Sequence, residues 1–154
     1  MNLIGNGLLA LLQHPNELNK LREDPALLPG AVEELLRYDS PVQRTARVTK
    51  TELELGGKII PRHSLMVAAI GAANRDPERF ADPDRLDISR PDKDHIAFGF
   101  GIHFCLGAPL ARIEAQMALG TLLRRMPRLA LATEKPQWRE SSTLRGLKAL
   151  PLTF

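Results

Sequence analysis

One ten-residue segment constrains this chain more than any other, because it combines three glycines, three phenylalanines and a cysteine. The segment FGFGIHFCLG covers residues 98–107 and precedes a stretch at residues 107–126 that we predict to be a long helix. Cys105, the only cysteine in the chain, therefore lies just before a helix. The first helical turn offers free N–H groups and the positive end of the helix dipole, and both stabilise a thiolate.

The glycines of this segment predict a loop that approaches a flat or bulky group. Gly99, Gly101 and Gly107 have no side chain, so the backbone can come close to a ligand or adopt positive φ angles there. Three of the five phenylalanines in the chain lie within seven residues of Cys105. A thiolate in such an apolar, aromatic loop suits a metal-bound sulfur better than a free nucleophile.

The cysteine by itself leaves other interpretations open. A lone cysteine is most often a buried structural residue. A nucleophilic Cys105 with His103 as its base is a second interpretation, although the sequence offers no third group to orient the base. A zinc site formed by His95, His103 and Cys105 has poor spacing and lacks a fourth ligand. The glycines do not follow the GxGxxG spacing of a dinucleotide-binding loop.

Composition excludes several classes of protein. A single cysteine excludes an internal disulfide framework and any site that needs two thiolates from one chain. No apolar run approaches the roughly 20 residues of a membrane helix. The chain does not open with a signal segment, so we expect a cytoplasmic protein with no membrane contact.

Charge is distributed unevenly along the chain. Residues 99–154 hold 8 Lys and Arg against 3 Asp and Glu, whereas residues 1–98 hold 13 against 15. A basic C-terminal third suits an acidic partner or is simply a solvated face. Nucleic acid is not expected as a partner, because no basic run is dense and aromatic residues make up only 5% of the chain.

The spacing of apolar residues predicts a mainly helical α+β chain without repeats or linkers. Helices are predicted at 2–13, 15–23, 29–38 and 107–126, and strands at 43–49, 51–55 and 58–60. A strand and then a short helix are predicted within 64–74, a long ordered loop at 75–97, and short strands near 129–132 and 147–154. The last helix is expected to face the core with Leu110, Ile113, Met117, Leu122 and Leu123.

Several segments of the chain together resemble one family. FGFGIHFCLG matches every fixed position of FxxGxxxCxG, the heme-binding loop pattern of cytochromes P450. The letters ELLR at 34–37 resemble the ExxR helix of that family, and DPDRL at 82–86 resembles the region that supplies a third charged partner. NLIGNGLLALLQHP, AVEELLRYDSPVQ, GAANRDP and LGAPLAR are also similar to bacterial members, so the resemblance covers nearly the whole chain.

The resemblance implies roles for residues of the cysteine loop, the name used below for residues 98–107. Cys105 is expected to be the axial thiolate ligand of heme iron. Phe98 is expected to pack against the heme near that sulfur. Gly99, Gly101 and Gly107 are expected to shape the loop so that backbone N–H groups point at the sulfur.

The resemblance also implies two sets of charged residues outside the sulfur's immediate surroundings. His103 and Arg47 match positions that bind heme propionates, where a basic side chain meets a carboxylate. Glu34, Arg37 and Arg85 are expected to form a buried ion network. Such a network is better explained as holding the geometry of the loop than as a source of stability.

By resemblance, residues 1–154 are expected to form a single truncated heme-binding domain, the C-terminal portion of a soluble bacterial heme-thiolate monooxygenase. Such an enzyme uses O2 and electrons from a ferredoxin- or flavodoxin-type donor to oxidise a small-molecule substrate. Arg112, Arg124 and Arg125 are expected near the face where the donor docks. The acid–alcohol pair that handles protons in the family has no counterpart in these residues, so no catalytic residue is assigned.

Two other hypotheses come from different classes of function. A non-enzymatic half-domain would bind heme or assemble with another chain, and apolar surface left exposed by truncation would promote self-association. A cysteine-dependent hydrolase would instead lose activity on thiol alkylation and would not require heme.

Overall fold

The computed structural model describes residues 2–154, which form five α-helices and six short β-strands. The helices are α1 (Asn2–Gln13), α2 (Pro15–Glu23), α3 (Leu28–Tyr38), α4 (Ile70–Ala73) and α5 (Ala108–Arg125). The strands are β1 (Thr45–Val48), β2 (Leu53–Leu55), β3 (Lys58–Ile60), β4 (Leu65–Ala68), β5 (Ala130–Leu131) and β6 (Leu152–Thr153). Short 3-10 helices cover Pro25–Leu27 and Gly101–His103.

Prolines and charged residues account for the helix limits. Pro15 occupies the first position of α2, where its missing N–H has no partner to lose. The Asp24 side chain accepts a hydrogen bond from the Ala26 N–H at 3.0 Å and starts the 3-10 turn that follows α2. Arg124 and Arg125 lie in the last turn of α5, where positive charge favours the negative end of the helix dipole.

The strands form three separate antiparallel pairs, β1 with β4, β2 with β3, and β5 with β6. Gly56 and Gly57 connect β2 to β3 with φ angles of 58° and 73°. A two-residue turn with two positive φ angles matches the twist of its strands, and only residues without a Cβ adopt it readily. The hairpin expected from the sequence is therefore confirmed.

A single apolar core joins α1, α2, α3 and α5, with α3 at its centre. Gly7 brings α1 close to α3, since a Cβ at this position would lie 3.0 Å from Leu35 Cδ1. Gly120 brings α5 close to α3 from another side, since a Cβ there would lie 2.9 Å from Leu28 Cδ2. A larger residue at either glycine would require the leucine methyl group to move out of its packed position. The ExxR sequence of α3 thus lies between two closely packed neighbours.

The predicted core face of α5 is wrong for three of its five residues. Leu110, Ile113 and Met117 are 60%, 54% and 68% exposed. Leu123 is buried and Leu122 packs partly against the core, as predicted. The helix has two apolar stripes, and its small residues allow the second stripe to pack closely against α3. The buried stripe consists of Ala108, Ala115, Leu119 and Leu123.

The remaining predicted elements are confirmed with small shifts of their ends. The helices expected at 2–13 and 15–23 have those bounds, and the third begins one residue earlier than predicted. Residues 75–97 contain turns but no helix or strand, as expected. None of the helices in residues 2–154 combines the length and the apolar character needed to cross a bilayer.

We predict that Leu119→Ala lowers the free energy of unfolding by about 3 kcal/mol, because it leaves a cavity beside α3. Met117→Ala, two residues earlier on the same helix, should change it by less than about 0.5 kcal/mol, because that side chain is exposed. Urea unfolding followed by circular dichroism measures both. Equal losses would show that the Met117 stripe also packs against the core.

Candidate functional site

A hydrogen bond between residues 98 and 105 closes most of the cysteine loop. The Cys105 N–H donates to the Phe98 carbonyl at 2.9 Å, although seven residues separate them in sequence. Gly99 and Gly101 make this path possible with φ angles of 77° and 65°, a region that disfavours residues with a Cβ. The loop presents Cys105 as an exposed free thiol. Within residues 2–154, Cys105 is therefore not a buried core cysteine.

Gly107 differs from the other two loop glycines. Its φ angle is −82°, it precedes α5 as the N-cap, and a Cβ there would lie 3.9 Å from Cys105 Sγ, an ordinary contact. Neither the Leu106 N–H nor the Gly107 N–H has a backbone acceptor within residues 2–154. These two donors are available to a ligand or to a thiolate, and their direction toward the sulfur stays a prediction.

A cavity of about 710 Å³ adjoins the cysteine loop. It is lined by five of the residues that the sequence assigned to cofactor binding, whereas Gly101 and Gly107 shape the loop without lining it. Much of the remaining wall is apolar, including Leu3, Leu36 and Ile70, and no Asp or Glu contributes to it. The five expected lining residues are Arg47, Phe98, Gly99, His103 and Cys105.

The two basic residues of the cavity have no acidic partner. Arg47 donates only to Thr45 Oγ1 at 3.0 Å and to the Ala46 carbonyl at 2.7 Å. His103 ends the 3-10 turn of the loop. In the described part of the chain, neither side chain forms an ion pair. Both side chains can therefore bind the carboxylates of a ligand without first breaking an ion pair.

Behind the cavity, Glu34 and Arg37 form the buried ion pair expected from the sequence. Arg37 Nε and Nη2 donate to the two Glu34 carboxylate oxygens at 2.8 and 2.9 Å, and both side chains are 1% exposed. The rest of the guanidinium donates to backbone carbonyls of Asn74, Pro83 and Arg85 at 2.8, 2.8 and 3.2 Å. All five N–H donors of Arg37 are thus satisfied inside the protein.

The third member of this network is Arg90, and the expectation of Arg85 was wrong. The Arg90 Nε lies 3.3 Å from the Glu34 carboxylate, and its side chain is 9% exposed. The Arg85 side chain is 61% exposed and lies 3.7 Å from Asp87, so only its backbone carbonyl joins the network. The name Glu34 network is used below for Glu34, Arg37 and Arg90.

Residues 86–90 bury alternate side chains although they do not form a strand. Leu86 and Ile88 are 2% and 1% exposed, and Arg90, two residues further on, is 8% exposed. Asp87 and Ser89 fall between these positions; Asp87 is half-buried and Ser89 is exposed. Residues 87–90 form a turn in which the Arg90 N–H donates to the Asp87 carbonyl at 3.0 Å. The period-2 rule for strands therefore does not apply here, and no local pattern in the sequence indicated Arg90.

The structure also decides between the other interpretations of Cys105. Among residues 2–154, no group of three His, Cys, Asp or Glu side chains lies close enough to hold a metal ion, so the zinc interpretation fails. His95 instead lies 3.2 Å from a Glu33 carboxylate oxygen. No hydrogen bond joins His103 to Cys105 in the described residues, which leaves the nucleophile interpretation without its base.

The comparisons with known proteins agree with this site. The sequence profile of the family Cytochrome P450 matches residues 4–144. The chain belongs to the cytochrome P450 family. Heme is the cofactor of that family, and the sulfur, apolar wall and unpaired basic side chains of the cavity fit a flat apolar group that carries carboxylates.

Several cytochromes P450 are similar to this chain. Cytochrome P450 107B1 of Saccharopolyspora erythraea is 54% identical over 99% of the chain, and the biotin biosynthesis cytochrome P450 of Bacillus subtilis is 50% identical over 100% of the chain. The crystal structure of P450BioI with an acyl carrier protein superposes with a TM-score of 0.96, at 50% identity over 99% of the chain and 40% of that structure. The chain spans 38–39% of the two curated relatives.

We predict that Arg90→Ala destabilises this cytochrome P450 chain by about 3 kcal/mol, because it removes one of the two cations that compensate the buried Glu34 carboxylate and leaves the carbonyls of residues 81, 82 and 85 without this donor. Arg85→Ala should change the free energy of unfolding by less than about 0.5 kcal/mol, because the lost side chain is exposed. Chemical denaturation of the two variants provides a matched pair. A larger loss of unfolding free energy in Arg85→Ala than in Arg90→Ala would contradict the assignment of Arg90 as the third member of the network.

Proposed function

We propose that this chain is the heme-thiolate portion of a cytochrome P450 monooxygenase that oxidises a small organic substrate with O2 and electrons from a redox partner. The observation that carries the proposal is the cavity in which the Cys105 thiol, Arg47 and His103 meet an otherwise largely apolar wall. The family match supports the same assignment. The proposal takes residues 1–154 as one heme-binding unit of a cytoplasmic enzyme.

Different residues of the cavity would bind different parts of the cofactor. Cys105 would bind the iron as a thiolate, and Arg47 and His103 would bind the two propionates. Phe98, the first residue of the cysteine loop, lines the cavity and would keep water from the thiolate. Gly99 and Gly101 hold the loop in its path through their positive φ angles. When bound, heme supplies the oxygen-activating chemistry of the family.

None of the Glu34-network residues lines the cavity, and the network reaches the site through the backbone. Arg37 holds the Asn74 carbonyl, and the Asn74 side chain accepts a hydrogen bond from the Ile96 N–H at 2.9 Å. Ile96 lines the cavity two residues before Phe98. The network therefore positions the start of the cysteine loop without contributing an atom to the reaction.

The electron donor in this proposal is a ferredoxin- or flavodoxin-type protein. Arg124 and Arg125 are exposed at the end of α5, and neither takes part in an ion pair within residues 2–154. Unpaired exposed arginines attract an acidic donor and raise its rate of encounter. Arg112 is bound to Glu33 at 2.7 Å and is a weaker candidate than the sequence suggested.

A second candidate function is a heme-binding half-domain that assembles with another chain and is inactive alone. The exposed stripe of α5, formed by Leu110, Ile113 and Met117, favours it. Ile102 and Leu106 of the cysteine loop are also 98% and 99% exposed. Apolar side chains exposed so close together are typical of a surface that another protein segment or chain covers. Sedimentation over a range of protein concentrations tests it, since a self-contained domain stays monomeric.

We predict that the purified chain, supplied with heme, reduced and exposed to carbon monoxide, shows the red-shifted Soret band of a thiolate-ligated heme. Cys105→Ala should abolish this band, because no other thiolate exists in the chain. Cys105→His should retain heme with a different band. Ile102→Ala, in the same loop but outside the cavity, is the matched control and should keep the band. A wild-type band in Cys105→Ala would refute the axial assignment.

We also predict that Arg47→Ala weakens heme binding about tenfold, because it removes a charge-assisted hydrogen bond at the rim of the cavity. Arg62→Ala is the control, since that exposed side chain does not line the cavity. Titration of the apoprotein with heme measures both affinities. The same affinity in the two variants would remove Arg47 from the propionate site.

A further inference from the structure

A second cluster of charged and aromatic residues joins α3, the segment before the cysteine loop, and α5. Arg112 Nε and Nη2 donate to the two Glu33 carboxylate oxygens at 2.7 and 2.8 Å. His95 Nε2 lies 3.2 Å from Glu33 Oε2. One carboxylate on α3 therefore binds side chains from both sides of the cysteine loop. The name Glu33 cluster is used below for Glu33, His95, Phe98 and Arg112.

The Arg112 guanidinium also covers the ring of Phe98. Its Cζ lies 4.7 Å from the ring centroid, within the range of a cation–π contact. The Phe98 ring has two further aromatic neighbours, His95 at 6.4 Å and Phe104 at 6.3 Å between centroids. Because Glu33 binds one edge of the guanidinium in two places, the plane of the guanidinium cannot turn freely away from the ring.

The contact continues from Phe98 to the proposed iron ligand. The Phe98 carbonyl accepts the hydrogen bond from the Cys105 N–H, so displacement of Phe98 displaces the residue that bears the sulfur. This chain of contacts runs from Glu33 through Arg112 and Phe98 to Cys105. Each link is a direct contact between neighbouring groups.

The electrostatics of the cluster support a persistent ion pair. Burial raises the pKa of Glu33, but hydrogen bonds from His95 and Arg112 more than offset burial and lower it to about 2. The hydrogen bond to Glu33 raises the pKa of Arg112 in turn. The two side chains are 18% and 31% exposed, which limits screening by solvent. The pair is thus ionised throughout the pH range in which the protein would be studied.

We propose that Glu33 and Arg112 are positioning residues for the cysteine loop: their two-point ion pair holds the guanidinium over Phe98, and Phe98 holds the backbone of Cys105. The consequence for thiolate ligation rests on the proposed heme function, whereas the ordering of the loop does not. Arg112 acts here as an internal support of the site, and its charge is already compensated before any electron donor arrives.

The packing of α3 against α5 does not depend on this pair. The core between the two helices contains Leu119, Ala115, Ala31 and Leu35, all of them buried. Gly120 sets the close approach of the helices at Leu28. A change at Glu33 or Arg112 should therefore loosen the loop while leaving the core intact, which separates a positioning role from a general structural one.

Arg112→Lys tests the proposal in the chain without heme. Lysine retains the charge that pairs with Glu33 but lacks the planar group that covers Phe98. We expect the Cys105 amide to exchange with solvent about five- to tenfold faster, as measured by NMR, because its hydrogen bond to Phe98 opens more often. Glu33→Gln should act in the same direction. The urea midpoint and the exchange of core amides in α1 should stay at their wild-type values.

Glu114→Gln is the matched control, because Glu114 is exposed two residues beyond Arg112 and has no ion pair among residues 2–154. Cys105 amide exchange in Arg112→Lys equal to that of this control would overturn the proposal. A parallel increase at α1 amides with a lower urea midpoint would also overturn it, since that pattern indicates general destabilisation.

A heme-loaded arm tests the consequence for ligation. Arg112→Lys should lower the fraction of reduced, carbonyl-bound protein that shows the thiolate-type Soret band, whereas Glu114→Gln should not. The same fraction in both variants would overturn the link to ligation. If the wild-type chain itself shows no such band, the proposed heme function fails, and the exchange experiment still decides whether Glu33 and Arg112 position the loop.

Discussion

Arg37 uses every one of its five N–H donors within the protein, and the path of the long irregular segment after α4 depends on them. Two donors bind Glu34 and three bind backbone carbonyls of residues 74–85. Arg90 adds three more bonds to carbonyls at 81, 82 and 85. Burial of these charges requires desolvation, so the network is better understood as a template for backbone geometry than as a source of stability.

Two neighbouring carboxylates on α3 connect this template to the cysteine loop. Adjacent helix positions point roughly 100° apart, so Glu34 and Glu33 face different surroundings. Glu34 points into the protein toward Arg37 and Arg90, whereas Glu33 points toward His95 and Arg112. A single helix turn thereby holds both the segment that leads to the loop and the helix that follows it. Small residues let that helix turn pack between α1 and α5.

The sequence allowed prediction of the local structure and of five residues that line the cavity, because turn residues, periodicity and the cysteine pattern act over short distances. The sequence did not allow prediction where two arrangements of side chains are equally compatible with the local pattern. α5 has two apolar stripes, and only the position of α3 decides that Leu119 is buried while Met117 is not. Arg85 was expected from its place in the DPDRL segment, and no local pattern indicated Arg90, which reaches Glu34 from the turn at residues 87–90. The Glu33–Arg112 pair joins residues 79 positions apart and has no local signal.

The way in which residues 74–85 are held has an evolutionary consequence. The hydrogen bonds of the Glu34-network arginines to this segment go to carbonyl oxygens, which every amino acid possesses, although Arg37 also lies 5.3 Å from the centroid of the buried Phe80 ring. Substitutions at its outward positions, such as Glu78, should therefore accumulate freely among descendants of this chain. Insertions and deletions should not, because one residue more or less moves every later carbonyl out of reach. The segment is expected to vary in amino-acid identity while it keeps its length.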